Sequence, residues 1–199
     1  AGSLPLEPPP CTPMYFQLLD AKGRLVQSMR SWTVLQPGET ASCLGCHESA
    51  NQAPSAAAHL PAAKVVCGRM AVPPRGLSFP KDVQPILARR CVSCHNPKAN
   101  PKIPDLTDAP VADEQSKRTW TRAYVSLTHA RPRDKHWSGA PDHKMLNWIS
   151  SGSVPTPHAP LTRGSGTSAL FAKLDAGHAP GITEEEKRLL ACWTDLGVP

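Results

Sequence analysis

With 199 residues, 23 of them Pro, 13 Gly and only 5% aromatic, the chain can hold one large domain or two small ones. It lacks the long apolar runs that a large sheet or long helices need. No run is long enough to span a bilayer. The formal charge of +6 is scattered rather than gathered into a basic stripe with aromatics, which speaks against a nucleic-acid surface. The one tight basic run, Arg131-Pro132-Arg133-Asp134-Lys135-His136, reads as a solvated loop.

In chain order, residues 1–12 read as a Pro-rich linker, or as a cloning remnant at Ala1-Gly2-Ser3. They have neither the charged n-region nor the apolar h-region of a signal peptide. Met14 to Leu19 and Arg24 to Met29 look like strands around the turn Asp20-Ala21-Lys22-Gly23. Ser31-Trp32-Thr33-Val34-Leu35 would be a third strand, with Trp32 in core or haem packing. Residues 13–41 are thus expected to form a small antiparallel β-hairpin or sheet packed on residues 42–199 as one compact unit.

Residues 49–76 and 97–118 read as irregular connections. Phe79 to Arg90, with its prolines early, suits a short helix. Further short helices are expected over 119–127, 144–150 and 167–176, the last closed by Gly177. Thr183-Glu184-Glu185-Glu186 forms a capping box opening a final helix to about Leu196, with Leu189, Leu190 and Trp193 inward. The expected fold class is mainly α with much irregular coil, a dihaem cytochrome c in architecture.

Cys43-Leu44-Gly45-Cys46-His47 and Cys91-Val92-Ser93-Cys94-His95 carry the chemistry. Each is the C-x-x-C-H signature of covalent c-type haem attachment. The paired cysteines Cys43 and Cys46, and Cys91 and Cys94, form thioethers with the porphyrin, and His47 and His95 become axial ligands of iron. With 8 His in 199 residues, a chance histidine after both pairs arises about 0.2% of the time. Zinc would take the four thiolates and need neither histidine. Two haems also supply apolar surface for a coil-rich chain to pack on.

C-x-x-C-H haems are attached outside the bacterial cytoplasm, so a periplasmic or extracellular location is expected, as part of a longer secreted redox protein. Three cysteines remain, Cys11, Cys67 and Cys192. Cys11–Cys67 is the expected pair if one forms, since Cys192 falls within the last helix.

The second axial ligand decides whether an iron carries electrons or meets substrate. Candidates are His59, His129, His136, His143, His158 and His178, with four Met. His178 lies just past Gly177 in a tight connection between two helices, a rigid place from which to offer imidazole to the second haem.

Several segments together resemble the carboxy-terminal dihaem region of hydrazine synthase alpha-subunit-like proteins. They run from Tyr15-Phe16-Gln17-Leu18-Leu19-Asp20 through Pro37-Gly38-Glu39 to the first motif. They continue with Phe79-x-x-Asp82-Val83-Gln84-Pro85-Ile86-Leu87 before the second, then Gly177-His178, Thr183-x-Glu185-Glu186 and Ala191-Cys192-Trp193-Thr194-Asp195-Leu196. The resemblance implies that His178 is the distal ligand of the second haem, opposite His95. It also implies a tyrosine ligand four residues after the first motif histidine, where this chain has Asn51. For the first haem His59 is then taken as the distal ligand, with His143, His129 and Met70 as alternatives.

The resulting expectation is a dihaem electron-transfer domain cycling Fe(III)/Fe(II) with a redox partner protein. The alternative is a haem enzyme whose first haem is open to peroxide or a small nitrogen compound.

Overall fold

A computed structural model describes residues 6–41, 75–114, 117–128, 145–150 and 152–199. Its first element is the hairpin β1 (Gln17–Leu19) and β2 (Leu25–Ser28), antiparallel with Gln17 opposite Ser28. The turn works as the sequence implied. Asp20 Oδ1 accepts from the Lys22 and Arg24 N–H groups, each at 2.8 Å, and Gly23 takes the left-handed φ of 76°.

The expected third strand shrinks to a single bridge, with Met14 and Thr33 exchanging N–H···O bonds of 2.9 and 2.8 Å. Beyond it the Cys11 N–H donates to Leu35 O at 2.8 Å, out of register with a continuous ladder. Trp32 is 69% exposed rather than packed in the core.

A π-helical turn, Phe79–Val83, feeds α1 (Gln84–Arg90). Pro85 lacks the N–H that would continue an ordinary ladder across this join. Next comes a second antiparallel hairpin, β3 (Pro110–Asp113) with β4 (Arg118–Thr121), then α2 (Arg122–Thr128). A loop was expected over 97–118 and a helix from Thr119. The run Thr119-Trp120-Thr121 instead favours a strand through its β-branched and aromatic side chains, with Trp120 opposite Val111.

Residues 145–150, expected within a helix, form none because their backbone is bonded elsewhere. The Asn147 N–H donates to Ser168 Oγ at 2.7 Å, and the Gly164 and Leu170 N–H groups donate to Asn147 O and Met145 O. A 3-10 turn (Ser165–Thr167) leads to α3 (Ala169–Asp175), and α4 (Glu184–Asp195) ends the fold with the expected capping box.

Helix makes up 29% and strand 12% of the described residues, in four helices and two small hairpin sheets. The expectation of a mainly α, cytochrome-like architecture is therefore overturned. The helices run only two to three turns, with glycines closing α3 and α4, and the second hairpin takes a segment expected to be loop and helix.

The core gathers Phe79, Val83, Ile86 and Leu87 from the α1 region, Leu127 from α2, Phe171 and Leu174 from α3, and Leu190 and Trp193 from α4. Phe79 lies 5.1 Å from both the Tyr124 and Trp193 rings, and Trp120 stacks on Tyr124 at 4.9 Å. The first hairpin is sewn to this body by polar contacts. Arg24, almost fully buried, reaches Asp175 Oδ1 at 3.0 Å with its guanidinium 4.3 Å from the Phe171 ring centre. The Leu25 N–H donates to Ser165 Oγ, and Gln17 Nε2 to Asp195 O.

Candidate functional site

The second C-x-x-C-H motif directly follows α1. The Cys91 and Val92 N–H groups both donate to Leu87 O, at 2.8 and 3.0 Å. The Cys94 and His95 N–H groups then donate to Cys91 O, at 3.1 and 2.8 Å, closing a turn that holds both thiols and the imidazole. Asn96 fastens its far end with all four hydrogen-bonding positions of its side chain. Its Nδ2 donates to Val92 O (2.7 Å) and Ser93 O (3.3 Å), and its Oδ1 accepts from the Lys98 and Ala99 N–H groups. Cys91 is half-buried and Cys94 exposed. Burial first, and then the Glu186 carboxylate, push the pKa of the Cys91 thiol up.

The loop after Asn96 returns against the histidine. His95 Nδ1 lies 3.0 Å from Pro104 O, and the Leu106 N–H donates to His95 O at 3.0 Å. A carbonyl can only accept, so Nδ1 carries the proton and Nε2 keeps its lone pair for a metal. A carbonyl on the far nitrogen also fixes ring orientation and raises ligand basicity.

His178 comes from the other side of the site. At the end of α3 the His178 N–H donates to Lys173 O (3.0 Å) and the Gly177 N–H to Leu174 O (3.1 Å). With Gly177 at φ 82°, this is a Schellman closure, and His178 is its last fixed residue. Eight residues on, Glu186 ties this side to the motif. Its carboxylate accepts from the Thr183 N–H within the capping box, from Arg90 Nε at 3.0 Å and from Arg89 Nη2 at 3.2 Å. Burial opposes ionisation of Glu186, but the Thr183 N–H and the two guanidinium groups outweigh it and hold its pKa below the ordinary value.

These constraints bring the His95 and His178 rings together in an edge-type arrangement, their centres 5.9 Å apart and their planes at 73°. Two imidazoles on opposite sides of one metal, each bonded at about 2.0 Å, have ring centres about 6.3 Å apart. The observed separation is within a few tenths of an ångström of that. Among the described residues no three His, Cys, Asp or Glu side chains converge as ligands of a bare ion. His95 and His178 could ligate one metal centre between them, with the Cys91 and Cys94 thiols on the turn that carries His95.

Of the residues singled out from sequence, Cys91, Cys94, His95 and His178 thus share one site. Cys43, Cys46, His47 and His59 lie outside the described residues, as do Asn51, Met70, His129, His136 and His143. Cys67 lies outside them too, while Cys11 is exposed with its thiol 3.6 Å from Gln36 Oε1. Cys192 is buried in the core. His158 is half-buried. Burial, then Arg163 and Arg30, lower its pKa.

Sequence reasoning missed Pro104, Leu106, Asn96 and Glu186 as parts of the site. An Asn-Pro step immediately after the motif was a readable turn signal. A backbone carbonyl such as that of Pro104 leaves no side-chain signature.

Residues 1–48 match the family model of the hydrazine synthase alpha subunit middle domain. No curated protein and no solved structure matches the chain. The match relates the first hairpin and the first C-x-x-C-H motif to that subunit, and it ends before the site just described. The relation is to the middle domain, whereas the sequence resemblance pointed to a carboxy-terminal dihaem region.

Proposed function

We propose that this chain is a haem-binding electron-transfer domain. In this reading one c-type haem is held by Cys91 and Cys94 between His95 and His178. A second is held by Cys43 and Cys46 against His47, with His59 from the following segment as its other ligand. The observation that carries the reading is the pair of imidazoles 5.9 Å apart, one of them hydrogen-bonded to Pro104 O. The match to a hydrazine synthase alpha domain supports a haem-associated redox protein more broadly.

Bound here, a haem would supply reversible one-electron Fe(III)/Fe(II) exchange, with His95 and His178 as the residues that would hold its iron. The chain's own residues serve that by staying still. Pro104 O fixes the His95 tautomer, the Schellman closure fixes the backbone of His178, and Glu186 clamps the two sides together. Little rearrangement is then needed when the charge at the centre changes. We place the domain outside the cytoplasm, within a larger secreted protein and serving a redox partner protein, because c-type haems are attached there.

Absorption and EPR spectra of the haem-loaded chain, with and without carbon monoxide, test the reading. The expected result is low-spin ferric haem at this site that does not bind carbon monoxide on reduction. His178→Ala should convert this haem alone to a high-spin, carbon-monoxide-binding form while leaving the exposed position's fold intact. An unchanged spectrum in that variant would remove His178 as a ligand. Carbon monoxide binding by the unsubstituted chain would favour a haem enzyme instead.

A further inference from the structure

We infer that Gln84 is a positioning residue for His95, acting through the loop that holds the imidazole; this rests on the proposal that His95 ligates a haem iron. Gln84 opens α1, is only 8% exposed, and donates from Nε2 to Leu106 O at 3.2 Å. Leu106 is itself buried, and its N–H donates to His95 O at 3.0 Å. Two residues earlier, Pro104 O takes the His95 Nδ1 proton at 3.0 Å. The segment 104–106 is thus held between Gln84 on one side and His95 on the other, and it carries the carbonyl that sets the ring.

The other end of the Gln84 amide strengthens the case. Its Oε1 is buried and meets no hydrogen-bond partner among the described residues. A buried acceptor without a donor costs stability, and a Met or Leu of similar size would remove that cost. Packing alone therefore gives no reason for an amide here, whereas a donor aimed at Leu106 O does. Without that donor the 104–106 segment loses its inner anchor and the Nδ1–H···O=C bond to Pro104 loosens. A less firmly bonded Nδ1–H makes the imidazole a weaker base, which stabilises Fe(III) less.

The test compares the haem-loaded full chain with Gln84→Met, which keeps the shape and removes the donor, and Gln84→Glu, whose carboxylate only accepts. Pyridine haemochrome content, ferric EPR and a potentiometric titration are recorded for each. The expected result is a shift in the reduction equilibrium of the Cys91/Cys94 haem of at least threefold toward Fe(II). That is about 28 mV for a one-electron couple, with altered low-spin g values and the other haem unmoved. Loss of that haem alone in either variant is the stronger form of the same result.

An unchanged potential and spectrum in both variants, with or without lowered stability to urea, would reduce Gln84 to a packing role and overturn the inference. Equal shifts at both haems would overturn it as well. Absence of haem from the unsubstituted chain would instead fail the underlying haem proposal, and the haemochrome assay separates that outcome from the others.

Discussion

Raising the pH from about 4 to about 7 should weaken this fold, because one buried carboxylate is harder to ionise in the folded protein than in the unfolded chain. Asp195, at the end of α4, accepts from Ser165 N and Ser165 Oγ, each at 2.6 Å, and so fastens the 3-10 turn that also holds Leu25 of the hairpin. Burial pushes its pKa up from 3.8 to about 6, against the opposing pull of Ser165, Leu25 and Arg24. Between those two values the unfolded chain has released the proton and the folded one has not, so stability falls as pH rises through this window and is level above it.

The difference between 3.8 and about 6, at about 1.4 kcal/mol per pH unit, sets the loss at about 3 kcal/mol. Asp82, Asp175, Glu184 and Glu186 have lowered values, so their stabilisation is lost as pH falls below 3.8 for the two Asp and below 4.5 for the two Glu, and is constant from about pH 5 upward. His158, whose pKa is lowered, works in the opposite sense to Asp195 as pH rises toward 6.5. Asp195→Asn isolates the effect, since every other group is shared. Urea unfolding of both proteins at intervals from pH 4 to pH 7 should show the variant gaining up to about 3 kcal/mol over the parent across the range. A stability difference that stays constant with pH would refute the argument.

Two further substitutions probe the frame of the site. Glu186→Gln keeps the capping box, which tolerates Gln at this position, but removes the charge that binds Arg89 and Arg90. With Arg89 largely exposed and Arg90 partly buried, the expected loss is about 1–2 kcal/mol in urea unfolding, and a loss below about 0.3 kcal/mol would show that the pairs do not tie α1 to α4. Gly164 and Gly177 both have positive φ, at 84° and 82°, yet Ala should affect them unequally. A Cβ at Gly164 would lie 2.5 Å from Leu25 Cδ2 and 2.7 Å from Asp195 Oδ1, whereas at Gly177 it meets nothing within 4 Å. Gly177→Ala should therefore cost only the backbone strain of about 1–2 kcal/mol, and Gly164→Ala distinctly more by thermal or urea unfolding. Equal costs would contradict the close approach of the hairpin to α4.

What could be read from the sequence is what local chemistry fixes. A capping box at Thr183 and Glu186 needs only neighbouring residues to form, and so does the left-handed glycine that ends α3 just before His178. The C-x-x-C-H spacing is likewise set by one short turn, which the bonds to Leu87 O and Cys91 O supply. Where a distant partner captures the backbone, local pattern misleads. Residues 145–150 have helical spacing, but Ser168 Oγ takes the Asn147 N–H and the chain stays extended. Trp32 looks like core from its size alone, yet the ladder beside it stops at Met14 and Thr33 and leaves the indole outside.

The same distinction divides the site itself. His95 and His178 can be named from sequence, but their 5.9 Å separation depends on Glu186 bridging two helices and on a loop returning Pro104 and Leu106 to the motif. None of those partners announces itself by spacing, because each acts through a main-chain group or across a long sequence gap. Ligand identity is thus local here, while the geometry and basicity of the ligand are tertiary properties. On the haem reading proposed above, substitutions at Gln84 or Glu186 should alter how the haem behaves at this site, whereas substitutions at Cys91, Cys94 or His95 should decide whether one is held there at all.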